Sequence, residues 1–163
     1  MRTVLTEQVA RHRLELNQRR FGDTESWELL RAGEKIFSFQ IAARTLRLEP
    51  YLPSPWPPLQ IETLTDNVGS KMNALVQRGA PRDFVDIRQL VAVGLATPGE
   101  CWEVWRRKNP DLSVEQARLE TIRRLCELEL RRPLESIGDP AERERASETR
   151  AWYREVFLHP PQK

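Results

Sequence analysis

Two hydrophobic rhythms divide the chain. In the first third, Ala10, His12, Leu14 and Leu16 alternate with Val9, Arg11, Arg13 and Glu15, a period of two with one weakly apolar face. That alternation predicts a strand. The stretch Phe21-Gly22-Asp23-Thr24 reads as a turn, and Trp27 to Leu30 as a second strand. Ala32-Gly33-Glu34 is a tight connection in which Gly33 can supply a positive φ. Lys35 to Arg47 is the third run, with the β-formers Ile36, Phe37, Phe39 and Ile41. Together these predict an antiparallel meander. Pro50, Pro53, Pro55, Pro57 and Pro58 then interrupt the pattern. A proline can neither donate to a ladder nor sit inside a helix, so the stretch reads as an extended connector. Leu59-Gln60-Ile61 is a candidate short strand after it.

From Thr63 onward the spacing is helical. Val68, Met72, Leu75 and Val76 share one face, Gly79 closes that helix, and Pro81 opens the next. Phe84, Ile87 and Val91 form the following stripe, ended by Gly94. Thr97-Pro98-Gly99-Glu100 is a capping box leading into Trp102 and Trp105, and Asn109-Pro110 breaks that helix. Ser113 with Gln116 starts another, for which the pattern predicts burial of Leu119, Ile122, Cys126 and Leu130. Glu120–Arg124 and Glu127–Arg131 are well-oriented pairs on it, and Pro133 stops it. Asp139-Pro140 opens the last helix, with Ala146, Thr149, Tyr153 and Val156 as its expected stripe. The expected fold is therefore α+β: a small antiparallel meander over 1–62, including the proline connector, then a mainly helical part over 63–163.

Composition narrows the function classes. Hydrophobic residues make up 39% and charged residues 31%, so the chain is globular. The net charge is only +2, and opposite charges interleave, as in Arg143-Glu144-Arg145. This is the signature of solvated helix faces, and it does not by itself point to nucleic acid. The two histidines, His12 and His159, are far apart in sequence, which disfavours a histidine zinc site or a Ser-His-Asp triad. Cys101 and Cys126 lack CxxC spacing and read as buried thiols in a reducing cytosol. No apolar run reaches the roughly 18 residues of a membrane span, so a soluble cytoplasmic protein without membrane contact is expected.

Candidate chemistry concentrates between Asp66 and Ile87. Lys71 and Arg78 are seven positions apart, about 20° in helical phase. Asn67, one turn before Lys71, extends the same polar stripe. Asp83 and Asp86, three apart, share a side of the next helix, and the short Gly79–Pro81 connection predicts a hairpin that brings Lys71 or Arg78 to Asp83 or Asp86. Two readings follow. One is an ion-pair cluster that fixes the hairpin. The other is a phosphate-facing cation held in position by a carboxylate. Other residues read as structural: Trp102 and Trp105 as core, and the pairs Arg123-Arg124 and Arg131-Arg132 as partners of Glu120, Glu127 and Glu135.

The pattern KxxAxxxR followed by RDxxD resembles the paired downstream motifs of the AbiEii/AbiGii nucleotidyltransferase toxin family. Its residues here are Lys71, Ala74 and Arg78, then Arg82, Asp83 and Asp86. The resemblance spans roughly Lys35 to Val156 and is strongest over Thr63–Leu90. It implies a nucleotidyltransferase fold of a mixed sheet joined to a helical half. It also implies nucleotide transfer from an NTP onto RNA or protein, with magnesium if the chain is active. Carried over, Lys71 and Asp83 are catalytic, Lys71 and Arg78 bind nucleotide, and Asn67, Arg82 and Asp86 support them. A cognate antitoxin or an upstream catalytic piece is the implied partner. The family also carries a Gly-Ser or Gly-Gly turn and a DxD pair on early strands, and no DxD occurs here. Phosphoryl chemistry of this type holds magnesium with clustered carboxylates. The expectation is thus a truncated or catalytically deficient member of the family, or a non-catalytic protein-binding module on the same scaffold.

Overall fold

The computed structural model describes residues 2–21, 24–42 and 46–159. The turn residues Gly22 and Asp23 and the tail Pro160-Pro161-Gln162-Lys163 lie outside these. The fold is α+β, with a three-stranded antiparallel sheet near the start and a mostly helical C-terminal half. Two compact units partition it, Met1–Thr45 and Leu46–Lys163. The break falls ahead of the prolines, so the proline-rich stretch belongs to the helical unit.

The first unit holds α1 (Arg2–Arg11), β1 (Glu15–Phe21), β2 (Thr24–Arg31) and β3 (Glu34–Ala42). The meander is as the alternation predicts, in the order β1-β2-β3. Its register runs from Glu15 opposite Leu30 to Phe21 opposite Thr24, then from Thr24 opposite Ala42 to Arg31 opposite Glu34. The expected strand over Val9–Leu16 is a correction: a helix occupies its first half. Glu7, Gln8, Ala10 and Arg11 are straight-chain or small helix formers. Arg13, in the left-handed region at φ 52°, closes that helix while the Leu14 N–H donates to Val9 O, 2.9 Å away. The β2–β3 turn places Ala32 and Gly33 at φ 52° and 80°, the paired positive values that match strand twist. Across β2 and β3, Trp27 and Phe39 stack with centroids 6.2 Å apart.

In the second unit, β4 (Leu52–Pro53) and β5 (Gln60–Ile61) pair antiparallel, so the proline stretch doubles back as a minimal hairpin rather than staying extended. Five longer helices follow: α2 (Leu64–Gln77), α3 (Pro81–Ala92), α4 (Pro98–Lys108), α5 (Val114–Arg131) and α6 (Pro140–Trp152). All but α3 are capped by a side chain where the sequence signals placed their starts. Thr63, Thr97, Ser113 and Asp139 accept from the backbone N–H of Asp66, Glu100, Gln116 and Ala141. The core joins Met72 and Leu75 of α2, Phe84 and Ile87 of α3, Trp102 and Trp105 of α4, and Leu125 of α5 to Tyr153 and Phe157. Tyr153 donates its hydroxyl to Phe84 O at 3.0 Å, and burial pushes its phenol well above the usual range.

Two expected helix faces are corrected. On α5 the buried residues are Ala117, Thr121 and Leu125, while Leu119, Ile122, Cys126 and Leu130 face solvent. The helix carries two apolar stripes, and the one with small residues lets it approach its neighbours closely. Gly79 shows how close: a Cβ there would fall 2.5 Å from Arg124 Cβ. After α6 the helix widens into a π turn over Tyr153–Phe157, closed by the Leu158 N–H on Tyr153 O. The wider turn brings Phe157 rather than Val156 beneath Tyr153. No helix among the described residues is long and apolar enough to cross a membrane.

Candidate functional site: the α2–α3 hairpin

The hairpin forms because Gly79 takes φ 57° after α2 and Pro81 fixes the first turn of α3. Its two helices carry the predicted residues into two ion pairs. Lys71 Nζ lies 2.7 Å from Asp86 Oδ2. Arg78 forks onto Asp83, with Nε to Oδ2 at 2.9 Å and Nη2 to Oδ1 at 2.6 Å. Asp83 is buried, and its Oδ2 also accepts the Ala80 N–H at 2.9 Å, so one carboxylate caps α3 and holds Arg78. This hydrogen bonding raises the affinity of Arg78 for its proton.

The two pairs differ in access. The side chains of Lys71 and Arg78 are 42% and 52% exposed, that of Asp86 is 35% exposed, and that of Asp83 only 2%. The cations thus present charge to solvent from carboxylates held behind them. Asn67 is exposed on the first turn of α2, and Arg82 is exposed at the start of α3 with no side-chain partner among the described residues.

The donor set does not fit a magnesium site. Asp83 and Asp86 are engaged by Arg78 and Lys71. Among the described residues no three His, Cys, Asp or Glu side chains are grouped to hold a metal ion. Glu127 with Glu129 and Glu142 with Glu144 are spaced by two on helices, about 200° apart, so the members of each pair point to opposite sides. One pair that motif reading passes over is Asp23-x-Glu25 at the β1–β2 turn. Asp23 lies outside the described residues, and the Glu25 carboxylate accepts from Gln18 Nε2 at 3.2 Å.

A second polar centre on α2 also escaped the sequence reading. Asp66, 1% exposed, lies 2.8 Å from Lys108 Nζ at the end of α4. It also accepts the backbone N–H groups of Leu48 and Glu49 at 2.9 and 3.0 Å, and Lys108 donates to Ser70 Oγ at 3.3 Å. Burial alone would raise the Asp66 pKa. Lys108 and the two backbone donors outweigh it and hold the carboxyl at about 2. The available signal was Gly69 inside a helical pattern: a Cβ there would lie 2.8 Å from Lys108 Cδ and Cε. A glycine in a helix interior marks a close approach, here of the lysine stem across α2.

The remaining sequence candidates are structural. Trp102 and Trp105 are buried, with ring centroids 6.4 Å apart, and Trp102 Nε1 donates to Phe157 O. Arg123 and Arg124 pair with Glu120 and Glu127 as expected, whereas Arg132 takes Glu142 instead of Glu135. Comparison with protein-family models, curated proteins and solved structures returns no match.

Proposed function

We propose that the chain is a catalytically deficient relative of the AbiEii/AbiGii nucleotidyltransferases, one that holds an NTP by its phosphates without transferring the nucleotide. The observation that supports this reading is the α2–α3 hairpin. Its Lys71 and Arg78 are solvent-accessible yet braced by Asp86 and Asp83, at 2.7 and 2.6 Å. A braced, accessible cation is suited to a triphosphate, and Arg82, exposed at the start of α3, adds a third positive charge. Against turnover stand the absence of a DxD pair in the chain and the engagement of both hairpin aspartates by cations.

Binding and turnover are tested separately. Purified protein is incubated with labelled NTPs, magnesium or manganese, and bulk tRNA or its own lysate. The expected result is NTP binding weakened by Lys71→Ala, with no transfer above background. Transfer that is lost in Lys71→Ala or Asp23→Ala would overturn the deficiency and assign a metal-holding role to the Asp23-x-Glu25 turn.

A second reading, a non-catalytic module that binds a protein partner, is favoured by one feature: the solvent-facing apolar row Leu119, Ile122, Cys126 and Leu130 on α5. The partner would be the piece that supplies the missing carboxylates, or a cognate antitoxin. Absence of both NTP binding and transfer, with a pull-down partner lost in Leu119→Glu, would move the assignment to this reading.

A further inference from the structure

Between α3, α5 and α6 the helical unit forms an open-mouthed cavity of about 390 Å³. It faces the side of α3 opposite Asp83 and Asp86, since Val85, Gln89 and Ala92 line it. Its floor is apolar, made by Phe84, Leu125, Leu128 and Ile137. Its polar edge is dominated by Arg88, Arg132, Arg145 and Arg150. Two of these are neutralised: Arg88 by Glu148 at 3.0 Å and Arg132 by Glu142 at 2.7 Å.

The other two are not. Arg150 is only 7% exposed, and its side chain makes a single hydrogen bond among the described residues, from Nη2 to Arg132 O at 2.6 Å. No carboxylate among the described residues pairs with it. A guanidinium withdrawn from water without a counter-charge is costly, and such groups ordinarily occur paired. Arg145 lies at the edge with no side-chain partner among the described residues. The cavity therefore combines an apolar floor with an uncompensated positive charge.

We propose that this cavity binds a small organic carboxylate, its apolar body on the Phe84–Leu125–Ile137 floor and its head on Arg150 and Arg145. The volume is near the lower end of the roughly 300–1,000 Å³ of small-molecule sites, so the body is no larger than a single chain of medium length. A carboxylate matches the planar guanidinium fork with one charge. A phosphate dianion would need further donors to replace its hydration, and the apolar floor offers none. The site lies on the opposite face of α3 from the hairpin's ion pairs and is independent of any nucleotide chemistry there.

The test uses the full chain with decanoate, decanol and inorganic phosphate as probes, read by titration calorimetry and thermal unfolding. Decanoate is expected to bind saturably and raise Tm, with decanol at least tenfold weaker and phosphate not binding. Ala146→Trp, at a lining position on α6, and Arg150→Met, which removes the buried guanidinium, are each expected to abolish decanoate binding. Arg145→Gln is expected to weaken it several-fold. If Ala146→Trp or Arg150→Met fails to fold, Arg145→Gln, at an exposed position, still decides. Equal binding of decanol and decanoate, indifference to Arg145→Gln, or tighter binding of phosphate would overturn the proposal. So would a concentration-dependent dimer dissolved by Ala146→Trp, which would assign the groove to a second copy of the chain.

Discussion

Lys71 and Leu75 sit one turn apart on α2 and mark the two roles this helix plays. Leu75 is fully buried, whereas Lys71 is a partly exposed ion-pair member. Truncating a buried leucine costs about 2–5 kcal/mol, and losing a solvent-screened pair roughly 0–1 kcal/mol. Leu75→Ala is therefore expected to lower the urea midpoint far more than Lys71→Ala. Equal losses would mean that the lysine is a structural element rather than a presented cation. Asp66 carries the opposite expectation. Its pKa falls from 3.8 to about 2 on folding. A depressed carboxylate stabilises the fold above its unfolded pKa and loses that contribution as pH falls through the folded value. The contribution is about 2 kcal/mol at neutral pH. The stability gap between wild type and Asp66→Asn should hold above pH ~4 and close between pH ~4 and ~2, as followed by tryptophan fluorescence at a series of pH values. A gap unchanged at low pH would place the stabilisation elsewhere. The hairpin pairs were legible because both partners lie within sixteen residues on two adjacent periodic elements. The Asp66–Lys108 pair was not, because its partners meet only through packing of α2 on α4, a tertiary event that no local spacing encodes.

Helix α5 shows where periodicity runs out. It satisfies helical spacing twice, through Ala117, Thr121 and Leu125 and through Leu119, Ile122, Cys126 and Leu130. Reading by hydrophobicity selects the bulkier stripe. Packing selects the smaller one, since the neighbouring backbone at Gly79 lies against Arg124. Caps and turns, by contrast, were legible because each depends on one or two residues with fixed local chemistry: Thr97 with Glu100, Asp139 with Pro140, and Ala32 with Gly33. The choice of stripe has a chemical readout. Cys126 faces solvent, while Cys101 is buried, and desolvation, with the neighbouring Glu100 charge, pushes its thiol to about 11. An aromatic disulfide reagent added to native protein at neutral pH should titrate one thiol quickly, and Cys126→Ser should abolish that fast phase. Two slow thiols would show that the bulky stripe is covered in solution.

Across the whole molecule, residues 46–163 contain a core of their own, with the aromatic centre of Trp102, Tyr153 and Phe157. The proline stretch was legible as a boundary signal but not as part of that unit. What ties it there is the acceptance of the Leu48 and Glu49 N–H groups by Asp66, a contact invisible without coordinates. That attachment has a consequence in exchange chemistry. Amides outside helices and strands normally trade hydrogen for deuterium within moments, because water reaches them without any opening of the fold. Leu48 and Glu49 lie outside both, yet their protons are held by a carboxylate buried under Lys108. They should exchange as slowly as the interior of α2, and Lys108→Met should release them first, before the helices themselves lose protection.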